Sequence, residues 1–231
     1  MNLVLSLENA VADAAQQTLV DDPGPKLDDR AGERAARHRA LAGLAAALHV
    51  EAEARAAAAA ITAGRADAAV WLGASLADLG GVTGRSRQAA RKRWPDLGAV
   101  HRRRHWLGNH VDDVLWAARL VLDAADDLEG VDPAARSALA DAVAATERDF
   151  AGEPADLDTA VARWRALDAL VDRHLRDLLA GVPEEPADPT AGDGALRSST
   201  VDPAFAAHGA RGVLRYYDHA VQAPDADHSA G

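Results

Sequence analysis

Residues 66–94 read ADAAVWLGASLADLGGVTGRSRQAARKRW, and this stretch predicts three short helices separated by tight turns. The first helix is expected at about Ala66 to Leu72, and the second at about Leu76 to Val82. The third opens at Ser86 and ends before Pro95, because proline disfavours a helical residue in front of it. The residues of the second helix that are expected to point inward are Leu76, Leu79 and Val82.

Glycine and serine residues set the turn between the second and third of these helices. Gly84 stands where one helix must end and the chain must swing through roughly a right angle, and glycine enters left-handed backbone space without strain. Gly80 lies where a larger side chain would hold the two helices apart. Ser86 is expected to cap the third helix, whose Ala90 and Trp94 lie four residues apart and should pack inward together.

The same part of the chain is a basic island in an acidic protein. The chain has 25 Lys and Arg against 36 Asp and Glu, a net charge of −11. The window 85–105 nevertheless contains eight basic residues and one acid, Asp96, so the rest of the chain carries −18, the difference between −11 and +7. Such an island is typical of a polyanion-binding site. The alternative is a solvated helix face whose charges are neutralised by acidic helices of the same molecule.

Residues 66–94 resemble the helix-turn-helix of DNA-binding proteins, and from Gly73 onward they resemble more narrowly a type common in actinobacterial proteins. That type follows roughly the pattern G-A-S-W-x-x-I-G-x-x-L-G-V-S-R-Q-A-A-x-x-R-[FW]. Thr83 and Arg85 depart from it, since the family usually has Leu and Val there, and both changes reduce core packing. The resemblance covers about 30 of the 231 residues and implies DNA binding and transcriptional regulation by a homodimer. The matching residues are Gly73-Ala74-Ser75-Leu76, Leu79-Gly80, Gly84, Ser86-Arg87-Gln88-Ala89-Ala90 and Arg93-Trp94.

The basic island and the resemblance together give the residues expected to contact DNA. Arginine can bind guanine, and glutamine adenine, through two hydrogen bonds in the major groove. The arginine run at 102–104 is expected either to hold a neighbouring phosphate or minor groove, or to be a solvent-exposed helix start. The full set of expected DNA contacts is Arg85, Ser86, Arg87, Gln88, Arg91, Lys92, Arg93, Arg102, Arg103 and Arg104.

The whole chain is predicted to be all-α, with the helix-turn-helix unit between a long N-terminal helix and a C-terminal helical bundle. Residues 1–64 are expected to be an N-terminal helical region suited to oligomerisation, with Gly64 as a candidate break, and residues 65–105 to be the DNA-binding unit with its basic extension. Residues 106–180 form the predicted bundle and 181–231 a predicted disordered acidic tail. The bundle begins with a heptad-like seam over Val111–Leu128, suited to helix pairing within or between chains.

Several classes of function are excluded or disfavoured by the composition. The chain has no cysteine, so it has no disulfide framework and no thiolate site. No apolar run is long enough to span a membrane, and the N-terminus lacks the basic region of a secretory signal, so a cytoplasmic protein at the nucleoid is expected. No nucleophile or phosphate-loop pattern is present, so neither catalysis, a metal nor a cofactor is expected.

Three functions remain open from the sequence. The leading one is a sequence-specific double-stranded DNA-binding protein, a dimeric transcriptional regulator with recognition helix 86–94 in the major groove. The second is a nucleoid-organising protein of low sequence specificity. The third is a helical interaction scaffold whose basic island binds an acidic partner. A protein partner on the C-terminal helices fits each of the three.

Overall fold

The computed structural model describes residues 3–21, 31–184 and 201–222, and in this part of the chain the fold is all-α, without a strand. The all-α prediction is confirmed. None of the helices described is long and apolar enough to cross a membrane. A π-helical turn at Leu170–Leu175 joins α8 to α9. The helices are α1 (Leu3–Asp21), α2 (Ala31–Trp71), α3 (Leu76–Thr83), α4 (Arg87–Arg93), α5 (Leu97–Asn109), α6 (Val111–Ala124), α7 (Pro133–Phe150), α8 (Leu157–Ala169), α9 (Arg176–Leu179) and α10 (Pro203–Gln222).

The chain divides into two compact units, Met1–Gly64 and Arg65–Gly231. The first unit contains α1 and most of α2. The second contains the last turns of α2 and all later helices. Gly64 lies inside α2, which continues to Trp71, so the predicted break at this glycine is wrong. A single glycine costs a helix only about 1 kcal/mol, which the good helix formers around it offset.

The larger core of the second unit is formed by the helices from α5 to α10. On α6, Val114, Ala118 and Val121 are completely buried, because this helix packs against α7 and α10. The predicted seam at Val111–Leu128 is therefore filled by helices of the same chain, and it is not an interface between copies. α6 itself ends at Ala124, one turn before the end of the predicted seam.

The predicted disordered tail over 181–231 is wrong for residues 201–222. This part forms α10, which packs against α5 and α6. Its buried residues recur every three or four positions and are Ala206, Ala207, Ala210, Leu214 and Tyr217. The apolar stripe recurs at helical spacing in the sequence, and the prediction missed it because the whole of 181–231 was assigned from the Pro-, Gly- and Ser-rich residues that precede α10. Residues 185–200 and 223–231 of the predicted tail lie outside the described residues.

Candidate nucleic-acid interface

A small apolar cluster holds together the end of α2, α3, α4 and the start of α5. Ala90 and Trp94 both belong to it, as their spacing predicts. Val82 does not: it is 89% exposed, so the prediction that it points inward is wrong. Residues spaced by three fall about 60° short of a full turn at each step, so Val82 has rotated away from the face that Leu76 and Leu79 share. The buried members are Ala66, Val70, Leu76, Leu79, Ala90 and Leu97, with Ala69, Trp94 and Val100 packed against them.

The start of α3 is fixed by a reciprocal capping box that the sequence analysis missed. The backbone amide of Asp78 donates to the Ser75 hydroxyl (3.2 Å), and the Ser75 amide and hydroxyl each donate to a carboxylate oxygen of Asp78 (2.8 Å). These hydrogen bonds lower the pKa of Asp78, so the carboxylate stays ionised at the positive end of the helix. The pattern Ser-x-x-Asp before an apolar residue was the available signal.

The turn between α3 and α4 depends on two glycines, as predicted. Gly84 has φ 63° and ψ 29°, the left-handed region in which glycine has no steric penalty. The backbone amide of Arg85 donates to the Gly80 carbonyl at 2.8 Å and closes the turn. A Cβ atom on Gly80 would lie 2.7 Å from the Arg85 carbonyl oxygen, so only glycine lets α3 approach the turn this closely.

The two positions that depart from the family pattern do not disturb this turn. The Thr83 hydroxyl donates to the carbonyl oxygens of Leu79 (2.9 Å) and Gly80 (3.2 Å), so its polar group is satisfied within α3. Arg85 is exposed and takes no part in the small core. The core therefore loses the apolar side chain expected at each position, and it leans instead on the end of α2 and the start of α5.

The α4 helix presents its basic side chains to solvent. Ser86 caps it by accepting a hydrogen bond from the amide of Ala89 (3.2 Å), as predicted. Gln88 is exposed beside the basic residues, and the Arg93 guanidinium lies 4.8 Å from the centre of the Trp94 ring. The five exposed basic residues, called here the α4 basic surface, are Arg85, Arg87, Arg91, Lys92 and Arg93.

The described carboxylates leave most of the α4 basic surface unneutralised. Among residues 3–21, 31–184 and 201–222, no ion pair involves Arg85, Arg87, Lys92 or Arg93. This matters in a chain with net charge −11, because acids are abundant elsewhere. The alternative of a face neutralised by acids of the same molecule finds no support at these four residues in this part of the chain.

The other half of the basic island points into the protein. Arg102, Arg103 and Arg104 lie in α5 and are partly buried. Arg102 donates through Nε to the carbonyl oxygen of Val221 in α10 at 3.0 Å. Each of the three is partly buried and has a partner in the same chain, so the expected solvent-exposed helix start is wrong, while the expected phosphate contact stays a prediction. These side chains fasten α5 to the neighbouring helices.

Arg104 ties α5 to the end of α2 and to α8. Its Nε donates to the carbonyl oxygen of Trp71 at 2.9 Å, and its guanidinium carbon lies 3.4 Å from the centre of the Trp164 ring. Burial, and then the nearby cation of Arg163, lower the pKa of Arg104. Gly108 leaves room for this side chain, because a Cβ there would lie 2.5 Å from Arg104 Nη1. The terminal carbonyl of α2 is thereby capped from another helix.

Arg103 belongs to a buried polar network that joins α5, α8 and α10. Its Nη1 lies 3.6 Å from Asp168 Oδ2, and the Tyr217 hydroxyl donates to Asp168 Oδ1 at 2.6 Å. Burial raises the pKa of Asp168, and the hydrogen bond from Tyr217 and the charge of Arg103 oppose that rise. Burial, followed by the hydrogen bond to Asp168, strongly raises the pKa of Tyr217. The network joins α5, which packs against α4, to α8 and α10.

A cleft of about 620 Å³ lies beside α4, between α5 and α10. It extends from Arg87 along α5 to α10 and contains no acidic side chain among the described residues that line it. Trp106 stacks on His110 inside it, with ring centres 4.6 Å apart. An anion next to the α4 basic surface therefore meets no described carboxylate on this side. The lining residues are Arg87, His101, Arg102, His105, Trp106, Asn109, His110, Tyr216 and Ala220.

No protein-family model, curated protein or solved structure matches this chain. Within the described residues, no group of three or more His, Asp or Glu side chains comes together as a metal site. The similarity of residues 73–94 to a helix-turn-helix thus depends on the residues themselves, and the capped α3, the left-handed turn at Gly84 and the exposed α4 are compatible with it.

Proposed function

We propose that this protein binds double-stranded DNA through α4 and acts at the nucleoid as a sequence-specific regulator of transcription, without catalytic activity. The supporting observation is the α4 basic surface: five exposed cations stand on one turn and one helix of an otherwise acidic chain. A folded chain that concentrates this much positive charge at its surface gains most from a partner that is itself a polyanion.

The dimensions of α4 suit the major groove. An α-helix with its side chains is about 10–12 Å across, and the major groove is about 12 Å wide. In this proposal Arg87 and Gln88 reach base edges, while Arg91, Lys92 and Arg93 contact phosphates on either side. The negative charge of the rest of the chain repels DNA and so favours one orientation of binding.

Salt dependence of binding tests whether the partner is nucleic acid. If each protomer engages four or five phosphates, log affinity should fall with log salt at a slope of about −3.6 to −4.5 per protomer. Fluorescence anisotropy with a labelled duplex measures it. Lys92→Ala should flatten the slope by about 1, whereas Arg148→Ala, which removes an exposed cation from α7, should leave it unchanged. No binding to any duplex at low salt contradicts the proposal.

Sequence preference tests whether the protein is a regulator. Genomic fragments captured by the full chain and then sequenced should be enriched in one motif, and a two-fold symmetric motif supports a homodimer. Arg87→Ala should cost about 1–3 kcal/mol at one base step, and Lys92→Ala should weaken all duplexes alike. Binding to every duplex equally would favour a nucleoid-organising protein instead. Binding only to an acidic protein would favour the interaction scaffold.

A further inference from the structure

The α2 helix exposes a row of leucines in the first unit. Leu41, Leu44 and Leu48 are 57%, 56% and 56% exposed, whereas Ala42, Ala46 and Val50 on the opposite side of the helix are buried. The leucines follow one another at spacings of three and four residues, as in the seam of a coiled coil. Exposing three large aliphatic side chains in one row to water is unfavourable, because full burial would stabilise each of them by about 1.5–3 kcal/mol.

Charged residues extend this row on both sides of the leucines. Two positions at equal distances before and after Leu44 have opposite charges. Arg37 lies seven residues before Leu44, and Glu51 lies seven residues after it. Glu33 and Arg55 lie eleven residues before and after it. All four charged residues are exposed, and at about 100° per residue the row from Glu33 to Arg55 covers an arc of only about 80°.

This order of charges fits only one direction of pairing with a second copy. When two α2 helices run antiparallel and cross at Leu44, Arg37 faces Glu51 of the other copy, and Glu33 faces Arg55. The intrahelical ion pair between Glu51 and Arg55 makes each end a network of alternating charges. In a parallel pair each charged residue would face its own copy, which places like charges together at four positions.

We propose that two copies of this chain associate through α2 in an antiparallel, two-fold symmetric pair, with Leu44 at the axis, Leu41 packed near Leu48 of the other copy, and Arg37 paired with Glu51. The leucine seam from Leu41 to Leu48 is eight residues long, little more than one heptad, so its interface is small and the dimer is a weak, reversible one. This interface uses no residue of the α4 basic surface. It is therefore independent of the proposed DNA binding, and either proposal can fail without the other.

Charge reversal with mixing tests the pairing directly. The full chain should be dimeric by sedimentation equilibrium, and Arg37→Glu or Glu51→Arg alone should weaken the dimer by about tenfold or more, because each places like charges together twice. Mixing the two variants should restore a heterodimer of native affinity. The introduced glutamate of one variant then faces the introduced arginine of the other, and the native pair of Arg37 and Glu51 forms again at the opposite end. Arg148→Glu, the same charge change on α7, should leave the affinity unchanged.

Single cysteines locate the axis, because the chain has no cysteine of its own. Leu44→Cys should form a covalent dimer under mild oxidation. Ala58→Cys, exposed and two heptads further along the same row, should not, since it would lie about 42 Å from its counterpart in an antiparallel pair. In a parallel pair both variants would cross-link, and this result would overturn the proposed direction.

Other outcomes also overturn the proposal. A full chain that is monomeric at several hundred micromolar has no such interface. If the wild-type chain has the mass of a monomer and Leu44→Glu lowers its helical signal in circular dichroism, the leucine row packs against a segment of the same chain. A dimer that both charge variants leave unaffected would place the contact elsewhere.

Discussion

Replacing Gly80 with alanine tests whether the close approach of α3 to its turn positions α4. The new Cβ would lie 2.7 Å from the Arg85 carbonyl oxygen, about 0.7 Å inside ordinary van der Waals contact. It would also lie 3.1 and 3.2 Å from backbone atoms of Ser86 and Arg87. All three neighbours are main-chain atoms in the turn before α4 or at its start, so relief requires α4 itself to move.

Gly81 provides a matched control, since it is the next residue of α3 and a Cβ there meets nothing within 4 Å. Both substitutions gain the same helix propensity, about 1 kcal/mol. The difference between the two variants therefore isolates the steric cost, which for overpacking is about 1–3 kcal/mol. We expect Gly81→Ala to be slightly more stable than the wild type, and Gly80→Ala to be less stable than Gly81→Ala by this amount.

Urea unfolding followed by circular dichroism measures the stability difference, and anisotropy with the preferred duplex measures its consequence for binding. If α4 binds DNA as proposed, its displacement would misplace base contacts that are each worth about 1–3 kcal/mol, so Gly80→Ala should bind at least tenfold more weakly than Gly81→Ala. Equal unfolding free energies for the two variants would refute the steric reasoning. A stability difference without any change in affinity would support the steric reasoning about the turn, but it would contradict the proposal that α4 contacts DNA.

Two further predictions concern the half of the basic island that faces inward. Tyr217→Phe removes the hydrogen bond that opposes the raised pKa of Asp168, so the folded-state pKa of Asp168 should rise further. The loss of stability should be about 1–3 kcal/mol where Asp168 is ionised and should fade as pH falls through its raised pKa, so the penalty measured by urea unfolding should shrink as the pH is lowered from 7 toward the ordinary aspartate pKa of 3.8. Arg104→Lys keeps the charge but loses the Nε donor to Trp71 and the flat contact with Trp164, so it should cost about 1–3 kcal/mol of unfolding free energy. Arg87→Lys on the exposed α4 should stay within about 0.5 kcal/mol, and equal effects of the two lysine variants would contradict the assignment of inner and outer arginines.

The sequence by itself determined the local devices of the proposed site. Apolar spacing placed α3 and α4, although not the continuity of residues 66–71 with the rest of α2, and the turn followed from Gly84, whose φ of 63° only glycine adopts without cost. The cap at Ser86 and the close approach at Gly80 followed in the same way. Each of these features depends on residues that are close together in the chain, so propensity, capping and steric rules are enough to find them.

Only the tertiary structure decided which basic residues remain available for a partner. Arg102 bonds to a carbonyl 119 residues away and Arg104 to one 33 residues away, and no local pattern contains such distances. The helix α10 has a helical apolar stripe in its own sequence, but only the tertiary structure shows that α6 covers that stripe. Charge and periodicity predict which helices form and which of them are basic. The tertiary contacts of each helix decide which of its basic side chains stay exposed to a partner.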